Sequence, residues 1–363
     1  SMDGKVTDSS KMDQIQSYDY RKNEKRRWLL LGTGILVSIV LFIIDIIAGE
    51  RWIPLSKIMA AVFYPGTMRI TDLVIINDIR IPRACMAFLA GVALGFSGGI
   101  MQTVLNNKLA SPYTLGLSSA AGFGASVAIT IGLSSIAAIG IYLIPFVSFL
   151  STAAACYMIF LFGKYFNSKP DTMILGGIGL SFIFQALQSL CQYSATTEQS
   201  QNIVFWLFGS LARSNWVSVT VTLVILIIFI PYIIKDSWKL TALKLGEENA
   251  IGLGVDVKQL RFQALLAVSI ITGIAVSFIG TIGFIGLVGP HIARLAVGED
   301  QRYYLPASGV FGGIILSLAS IISKIIVPGM IFPIGIITSV VGGPFFLFFI
   351  FAKKKNVIGG MND

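Results

Sequence analysis

The feature that most constrains this chain is a series of apolar stretches, most of them long enough to cross a lipid bilayer as a helix, which takes about 17 to 25 residues. Only 12% of the residues are charged, roughly half the share of an ordinary soluble domain. The sequence therefore predicts an all-α polytopic membrane protein with about ten transmembrane helices, at 28–48, 84–105, 113–132, 136–162, 172–195, 216–234, 259–281, 283–297, 305–326 and 334–352.

The distribution of basic residues predicts the orientation of these spans. Ten spans place both termini on one side, and a cytosolic N-terminus leaves twenty Lys and Arg inside and seven outside. Cytosolic loops carry the excess of Lys and Arg in membrane proteins. We therefore expect a cytosolic tail at 1–27, a transmembrane domain at 28–355 with a cytosolic loop at 241–258, and a cytosolic tail at 356–363. The net charge of +9 reflects this topology and indicates no nucleic-acid partner.

Two segments suggest an internal repeat. AGVALGFSGG, at 90–99, and TGIAVSFIGT, at 272–281, share small residues at matching offsets in the second and seventh spans. These spans run in opposite directions, so the pattern indicates inverted-topology repeats, which many transporters contain. The pattern alone leaves the repeat open.

The segment SPYTLGLSSAAGFGA, at 111–125, is unusually rich in small residues. In lipid, helices associate through small side chains that let their backbones approach closely. Tight helix packing is one interpretation of this segment, and a lining for a transport path is the other. The residues concerned are Gly116, Ser118, Ser119 and Gly122.

The chain shows no source of energy of its own. Ion-driven carriers usually keep an ionisable residue in mid-membrane, whereas Asp45 and Lys324 lie near the outer ends of their spans. No GxxxxGK[ST] phosphate-binding motif is present either. We therefore expect a partner to supply the nucleotide site. The amphipathic loop at 241–261 is a candidate contact for that partner, and a purely structural role is the other interpretation of this loop. No catalytic residue or metal site is predicted, since His291 is the only histidine.

Several motifs together resemble the FecCD family of ABC importer permeases, which carry ferric siderophores, haem or cobalamin. The resemblance covers about residues 28–355 and rests on motifs in family order: RIPRACMAFLAGVALGFSGGIMQ, NNKLASPYTLGLSSAAGFGA, FWLFGSL, LGEENAIGLGV, IGFIGLVGPHIARL, YYLPAS and FPIGIITSVVGGPFF. It implies the inverted-repeat fold of type II ABC importer permeases, in a bacterial cytoplasmic membrane.

The resemblance also implies partners and roles for particular residues. Two ABC ATPase subunits would hold ATP and Mg²⁺, this chain would bind no cofactor, and a second permease subunit, identical or related, would complete the path. An extracytoplasmic substrate-binding lipoprotein would dock on Arg80, Arg83 and Lys324, and the inner gate would lie at Pro170, Asp171 and Thr172. The ATPases would contact Leu245, Gly246, Glu247, Glu248, Ala250, Leu253, Gly254 and Val255.

The sequence departs from the family pattern at two positions. Lys108 replaces the proline of an NPLA motif, and Ile331 replaces a glutamate on the outer rim. The second change puts in doubt any outer contact that uses that acid. The resemblance implies uptake of a ferric siderophore by alternating access, with haem and cobalamin as alternatives. An ATP-independent secondary carrier and a structural or signalling subunit are the competing classes.

Overall fold

The computed structural model describes residues 3–136, 139–166, 169–327 and 329–359, and all regular secondary structure in these ranges is helical. Short 3₁₀ turns and one π-helical segment, Val74–Arg80, join the α-helices. The α-helices are α1 (Asp3–Ile47), α2 (Leu55–Phe63), α3 (Ile70–Leu73), α4 (Ile81–Val104), α5 (Leu117–Thr130), α6 (Gly140–Tyr165), α7 (Pro170–Ser194), α8 (Thr197–Leu207), α9 (Trp216–Ile234), α10 (Ser237–Lys244), α11 (Glu247–Gly252), α12 (Val257–Ile279), α13 (Ile285–Val297), α14 (Gln301–Ile325) and α15 (Ile334–Gly359).

The ten predicted spans all correspond to helices. Within the described ranges, seven helices are long and apolar enough to cross a membrane, and α5, α13 and the apolar part of α15 are shorter apolar helices. The helix that contains α4 is 78% buried over its most apolar window, whereas α7 is 17% buried. The polytopic all-α prediction is therefore confirmed, with α4 at the centre of the bundle.

Glycine explains how α4 becomes the central helix. A Cβ on Gly98 would overlap the carbonyl oxygen of Gly286 in α13, and a Cβ on Gly95 would overlap that of Ser308 in α14. Gly91 and Gly312 are in equally close contact. These contacts require glycine because any side chain would separate the backbones.

The seventh and eighth predicted spans, at whose junction the sequence has glycines at 280 and 283, are two separate helices. α12 ends at Ile279, and α13 begins at Ile285. Gly280 follows α12 with a φ of 85°, a conformation that favours glycine, and Phe284 has a φ of 68°. The chain therefore breaks between the two spans, as the predicted bounds 259–281 and 283–297 require.

Two helix boundaries differ from expectation. The second span begins at Ile70, because the π-helical segment joins α3 to α4 in one helix of 35 residues. The first span continues a helix that starts at Asp3, so the predicted tail at 1–27 is helical over its described residues and is no separate segment. Glu24 accepts a hydrogen bond from the Tyr303 hydroxyl at 3.0 Å, and Arg27 pairs with Asp300 at 3.6 Å, so α14 holds the end of this tail. Residues 360–363 of the predicted C-terminal tail lie outside the described ranges.

Candidate functional site

The predicted coupling loop is a compact pair of short helices, α10 and α11, held by local capping. α11 ends in a Schellman motif, in which Val255 N–H donates to Ala250 O at 3.0 Å and Gly254 N–H donates to Ile251 O at 2.9 Å. Gly254 takes the required positive φ of 83°. Asp256 then caps α12 by accepting from Gln259 N–H at 3.1 Å. The loop therefore has a defined shape before any partner binds.

Some apolar side chains of this loop are exposed to solvent, and others are buried against the rest of the protein. Leu245, Ile251 and Leu253 are 72%, 58% and 64% exposed, whereas Ala250 and Val255 are buried. Gly246 joins α10 to α11 with a φ of 127°. Large exposed apolar side chains in a cluster mark an interaction surface. We call Leu245, Ile251 and Leu253 the loop surface.

A buried arginine connects α11 to the transmembrane helices. Arg261, in the first turns of α12, is 3% exposed. Its Nη2 lies 3.1 Å from Oε2 of Glu247, and its Nε donates to Val104 O at the end of α4 at 3.0 Å. Glu247 was predicted as a contact for the ATPase, and the structure also places it in this internal ion pair.

A polar cluster lies at the same end of the bundle. Nη2 of Arg294 lies 2.9 Å from Gln102 Oε1 and 3.0 Å from the Tyr304 hydroxyl, and that hydroxyl donates to Gln102 Oε1 at 3.2 Å. Thr103 Oγ1 donates to Gln301 Oε1 at 3.0 Å. We call these five residues the polar node; it joins α4, α13 and α14.

Two further contacts attach α10 to the polar node. Gln301 N–H donates to Thr241 Oγ1 at 3.2 Å. Glu299 lies 3.0 Å from Arg294 Nε and 4.0 Å from Lys244 Nζ. Burial lowers the pKa of Lys244, although the Glu299 carboxylate opposes this shift. The loop is thus joined by polar side chains to α4, α12, α13 and α14.

The predicted docking residues at the opposite end make internal contacts. Lys324 Nζ donates to Asp45 Oδ1 at 2.7 Å and to Asp45 O at 2.6 Å, and Ser320 Oγ donates to both carboxylate oxygens at 2.9 Å. Asp45 is fully buried, and the Lys324 side chain is 9% exposed. The ammonium of Lys324 is therefore neutralised inside the protein in this conformation.

Arg80 caps the C-terminus of α1. Its Nη1 donates to Ile46 O and Ile47 O at 2.9 Å, and its Nη2 donates to Arg51 O at 2.7 Å. A cation at the last carbonyls of a helix complements the helix dipole. Arg83 is half-buried and lines, with Arg80 and Lys324, a cavity of about 230 Å³. Docking at these residues stays a prediction, for which Arg83 is the best placed of the three.

The predicted inner gate lies at the start of α7. Pro170 is its first residue and Asp171 lies in its first turn, which suits the fixed φ of proline and the helix dipole. Asp171 is exposed, and Pro170 and Thr172 are half-buried. A gating role for them stays a prediction.

The small-residue segment lies against α6 and α7. A Cβ on Gly116 would lie 2.9 Å from Gly177 O, and one on Gly122 would lie 2.8 Å from Gln188 Oε1. Ser118 is buried, whereas Ser119 is half-buried and Gln185 Nε2 lies 3.5 Å from its Oγ. These contacts account for the segment as a helix-packing surface, and a path-lining role stays a prediction.

Sequence reasoning missed the polar node and the Asp45–Lys324 pair. Gln102 and Gln301 lie at the ends of apolar stretches, and Asp45 and Lys324 carry opposite charges near the outer ends of spans one and nine. Because the two opposite charges lie at the same depth in the membrane, the sequence could have predicted that they pair.

The loop at Lys108 forms without the family's proline, because Asn107 Oδ1 accepts from Leu109 N–H at 2.8 Å.

Comparison with known proteins agrees with this architecture. Residues 36–352 match the FecCD transport family. A protein of Methanocaldococcus jannaschii, provisionally named as an ABC transporter permease, is 36% identical over 89% of this chain and 95% of its own length. An Fe(3+)-citrate import system permease protein of Bacillus subtilis is 33% identical over 92% of this chain and 98% of its own length. Further relatives are named for hemin transport and vitamin B12 import.

A solved structure has the same fold. It is described as an inward-facing conformation of a metal-chelate type ABC transporter, itself provisionally assigned, and it superposes with a TM-score of 0.78 at 28% identity. The match covers 89% of this chain and 99% of the other. The extent of these matches, together with the ten apolar helices among the described residues, shows that the chain is a multi-pass membrane protein of the FecCD transport family, an ABC transporter permease.

Proposed function

We propose that this chain is the membrane-spanning subunit of an ATP-driven importer that takes up a ferric siderophore by alternating access. Two ATPase subunits would bind at the α10–α11 end, and a substrate-binding lipoprotein would dock at the opposite end. ATP and Mg²⁺ would lie on the ATPase subunits. Both termini would be cytosolic, as the distribution of basic residues predicts.

The observation that carries this proposal is the rigid attachment of an exposed apolar surface to the centre of the bundle. The loop surface presents Leu245, Ile251 and Leu253 to a partner, while Arg261 joins α11 to α12 and to the end of α4. Movement of an ATPase against α11 would therefore displace both helices. In a loop tethered only by flexible chain, the same movement would be lost.

The polar node provides a second connection through which movement of the loop would reach the transmembrane helices. Thr241 and Lys244, in α10, contact Gln301 and Glu299, and Arg294 continues the contacts to Gln102 in α4. The two hydrogen bonds of Arg294 involve a charged group and contribute about 1.5–3 kcal/mol each, so we expect the node to move as a unit. α10 and α11 would thus act on four spans through short contacts.

A second permease subunit would cover the faces that this chain leaves open. Among the seven long apolar helices of the described ranges, α7 is the least buried, at 17%. Leu175, Phe182 and Leu190 on it are 60% exposed or more. The predicted gate residues Pro170–Thr172 begin the same helix. We infer that α7 faces the path between two permease subunits, identical or related.

The relatives guide the choice of cargo. One is named for Fe(3+)-citrate import, others for iron chelate and siderophore transport, and others for hemin and vitamin B12. A ferric chelate is the cargo named most often among these, so we propose a ferric siderophore. Haem and cobalamin are the alternatives within the same machinery.

Reconstituted vesicles test the proposal. The chain, its ATPase subunits and the binding protein are placed in proteoliposomes, and uptake of radiolabelled ferric siderophore is followed with ATP. We expect uptake that stops with a hydrolysis-deficient ATPase. Full uptake without any ATPase would establish a secondary carrier instead, and no movement of any ligand would favour a structural or signalling role. Competition by haem or cobalamin identifies the cargo.

The loop surface has its own test in the same vesicles. Leu253→Ser removes an exposed apolar side chain just beyond the end of α11, and Ile131→Ser does the same at a position beyond α5 that is 69% exposed. We expect Leu253→Ser to weaken ATPase binding roughly ten- to a hundredfold, since burying a leucine is worth about 1.5–3 kcal/mol. Ile131→Ser should leave that binding unchanged.

A further inference from the structure

A cavity of about 240 Å³ lies between the ends of α6, α7 and α12, beside the α10–α11 loop. Its inner wall is apolar and includes Cys156, Met173 and Leu265. The rings of Phe160 and Phe262, whose centroids are 4.4 Å apart, form another wall. The cavity is therefore suited to hydrocarbon over most of its depth.

The mouth of this cavity is positively charged. Lys164, in the last turn of α6, and Lys258, in the first turn of α12, both line it and are exposed. No lining residue is acidic among those the structure describes, and neither lysine forms an ion pair within the described part of the chain. Arg261 also lines the cavity, but its charge is matched by Glu247 at 3.1 Å. Two unmatched positive charges therefore remain.

The cavity opens beside outward-facing apolar side chains. Phe262 and Leu266 are 38% and 42% exposed, and both belong to α12, a helix apolar enough to span a membrane. The two lysines lie at the ends of membrane-spanning helices, at the level of the lipid headgroups. An apolar groove below paired cations matches an amphiphile with an anionic head.

We propose that this cavity binds an anionic phospholipid, with the headgroup phosphate between Lys164 and Lys258 and an acyl chain along Phe262 and Leu266. Basic pockets between transmembrane helices take anionic lipid headgroups for this reason. Free phosphate would satisfy the lysines but would leave the apolar wall exposed. A zwitterionic lipid would bring a choline group against two cations. The proposal does not depend on which cargo the chain transports.

Such a lipid would connect the elements around the predicted gate. Lys164 lies shortly before the start of α7, and Met173, in the first turns of α7, lines the cavity. A headgroup held by both lysines would bridge α6 and α12 across this position. We therefore expect the lipid to stabilise the relative position of these helices as well as to bind.

The test uses the purified full-length chain in detergent. Native mass spectrometry and thermal unfolding are recorded with phosphatidylglycerol, with phosphatidylcholine of the same acyl chains, and with inorganic phosphate. We expect bound lipid and a raised unfolding temperature with phosphatidylglycerol only. Equal retention of phosphatidylcholine, or full protection by inorganic phosphate, would overturn the proposal.

Variants locate the site. Lys164→Gln with Lys258→Gln should weaken phosphatidylglycerol binding roughly thirty-fold, and each single change roughly fivefold, since a basic residue near the surface contributes about 1 kcal/mol. Leu266→Trp should also reduce binding by filling the apolar groove. The control is Lys235→Gln, which changes a lysine that lies over the Tyr232 ring at 4.5 Å, outside the cavity. Equal binding by the double variant and by the control would contradict the assignment; if the double variant fails to fold, the single changes decide.

Discussion

Arg261 Nη2 and Glu247 Oε2 lie 3.1 Å apart, and this contact joins the first residue of α11 to α12. Nε of the same arginine donates to Val104 O at 3.0 Å. One buried side chain thus connects the loop, α12 and the central helix α4. A loop attached in this way can transmit displacement, because the contacts on both sides of the guanidinium are short.

Glu247→Gln should weaken this connection. It leaves the buried Arg261 without its carboxylate, and we expect a loss of about 1 kcal/mol of stability, reduced from the value of a buried pair because Glu247 is half exposed. Transport per ATP hydrolysed should fall in the reconstituted complex. Glu198→Gln is the control, since Glu198 is an exposed carboxylate in the first turn of α8, outside the loop. Equal transport ratios for the two variants would show that the ion pair carries no coupling.

Gly246→Ala should distort the junction of α10 and α11. Gly246 has a φ of 127° and a ψ of 145°, a region that costs other residues about 1–3 kcal/mol. We expect a lower thermal unfolding temperature and ATP hydrolysis uncoupled from transport. Gly252→Ala serves as the control because no atom lies within 4 Å of a Cβ built there, and alanine at such a site stabilises by about 0.4–1 kcal/mol. Normal coupling in Gly246→Ala would argue against the role of this loop.

Asp45→Asn should destabilise the protein strongly. It leaves the Lys324 ammonium buried without a counter-charge, which costs about 3–5 kcal/mol. Combining it with Lys324→Met removes both charges, and we expect most of the lost stability to return. Thermal unfolding of the two single variants and the double variant in detergent measures the interaction energy of the pair. Additive losses would show that the two residues do not stabilise each other.

Gly98→Ala should separate α4 from α13. The new Cβ would overlap the carbonyl oxygen of Gly286, and over-packing of this kind costs about 3 kcal/mol where the backbone cannot move aside. We expect a low yield of folded protein and a lower unfolding temperature. Gly179→Ala, on α7, has nothing within 4 Å of its Cβ and should be neutral or stabilising. Equal unfolding temperatures for both variants would contradict the close packing of α4.

Arg83→Gln should slow docking of the binding protein at low ionic strength. Charges at the edge of an interface act mainly on the association rate, and the screening length falls to about 3 Å at 1 M salt. We expect a several-fold lower association rate at low salt and no difference at high salt, measured by biolayer interferometry. Lys57→Gln is the control, because Lys57 lies 4.0 Å from Asp72 and outside the Arg83 cavity. An unchanged rate at low salt would remove Arg83 from the docking site.

The amino-acid sequence by itself determined the membrane-spanning character, the apolar helices and the break between the seventh and eighth of them. Hydrocarbon forces every backbone amide into a local hydrogen bond, so an apolar run of sufficient length has one structure available, and the glycines around Gly283 interrupt it locally. The short helices of the loop were also predictable, because caps such as Asp256 and turns such as Gly254 act within a few residues.

The tertiary structure alone decided which polar residues meet. Lys324 pairs with Asp45 across 279 positions, and Arg294 contacts Gln102 across 192. No local rule relates residues so far apart, since their distance depends on how the helices pack. That packing follows from glycine contacts such as Gly98 with Gly286, which hold two backbones together only once both helices exist. For this reason Lys324 and Glu247, which the sequence predicts as contacts for partner proteins, form ion pairs inside the bundle instead or as well.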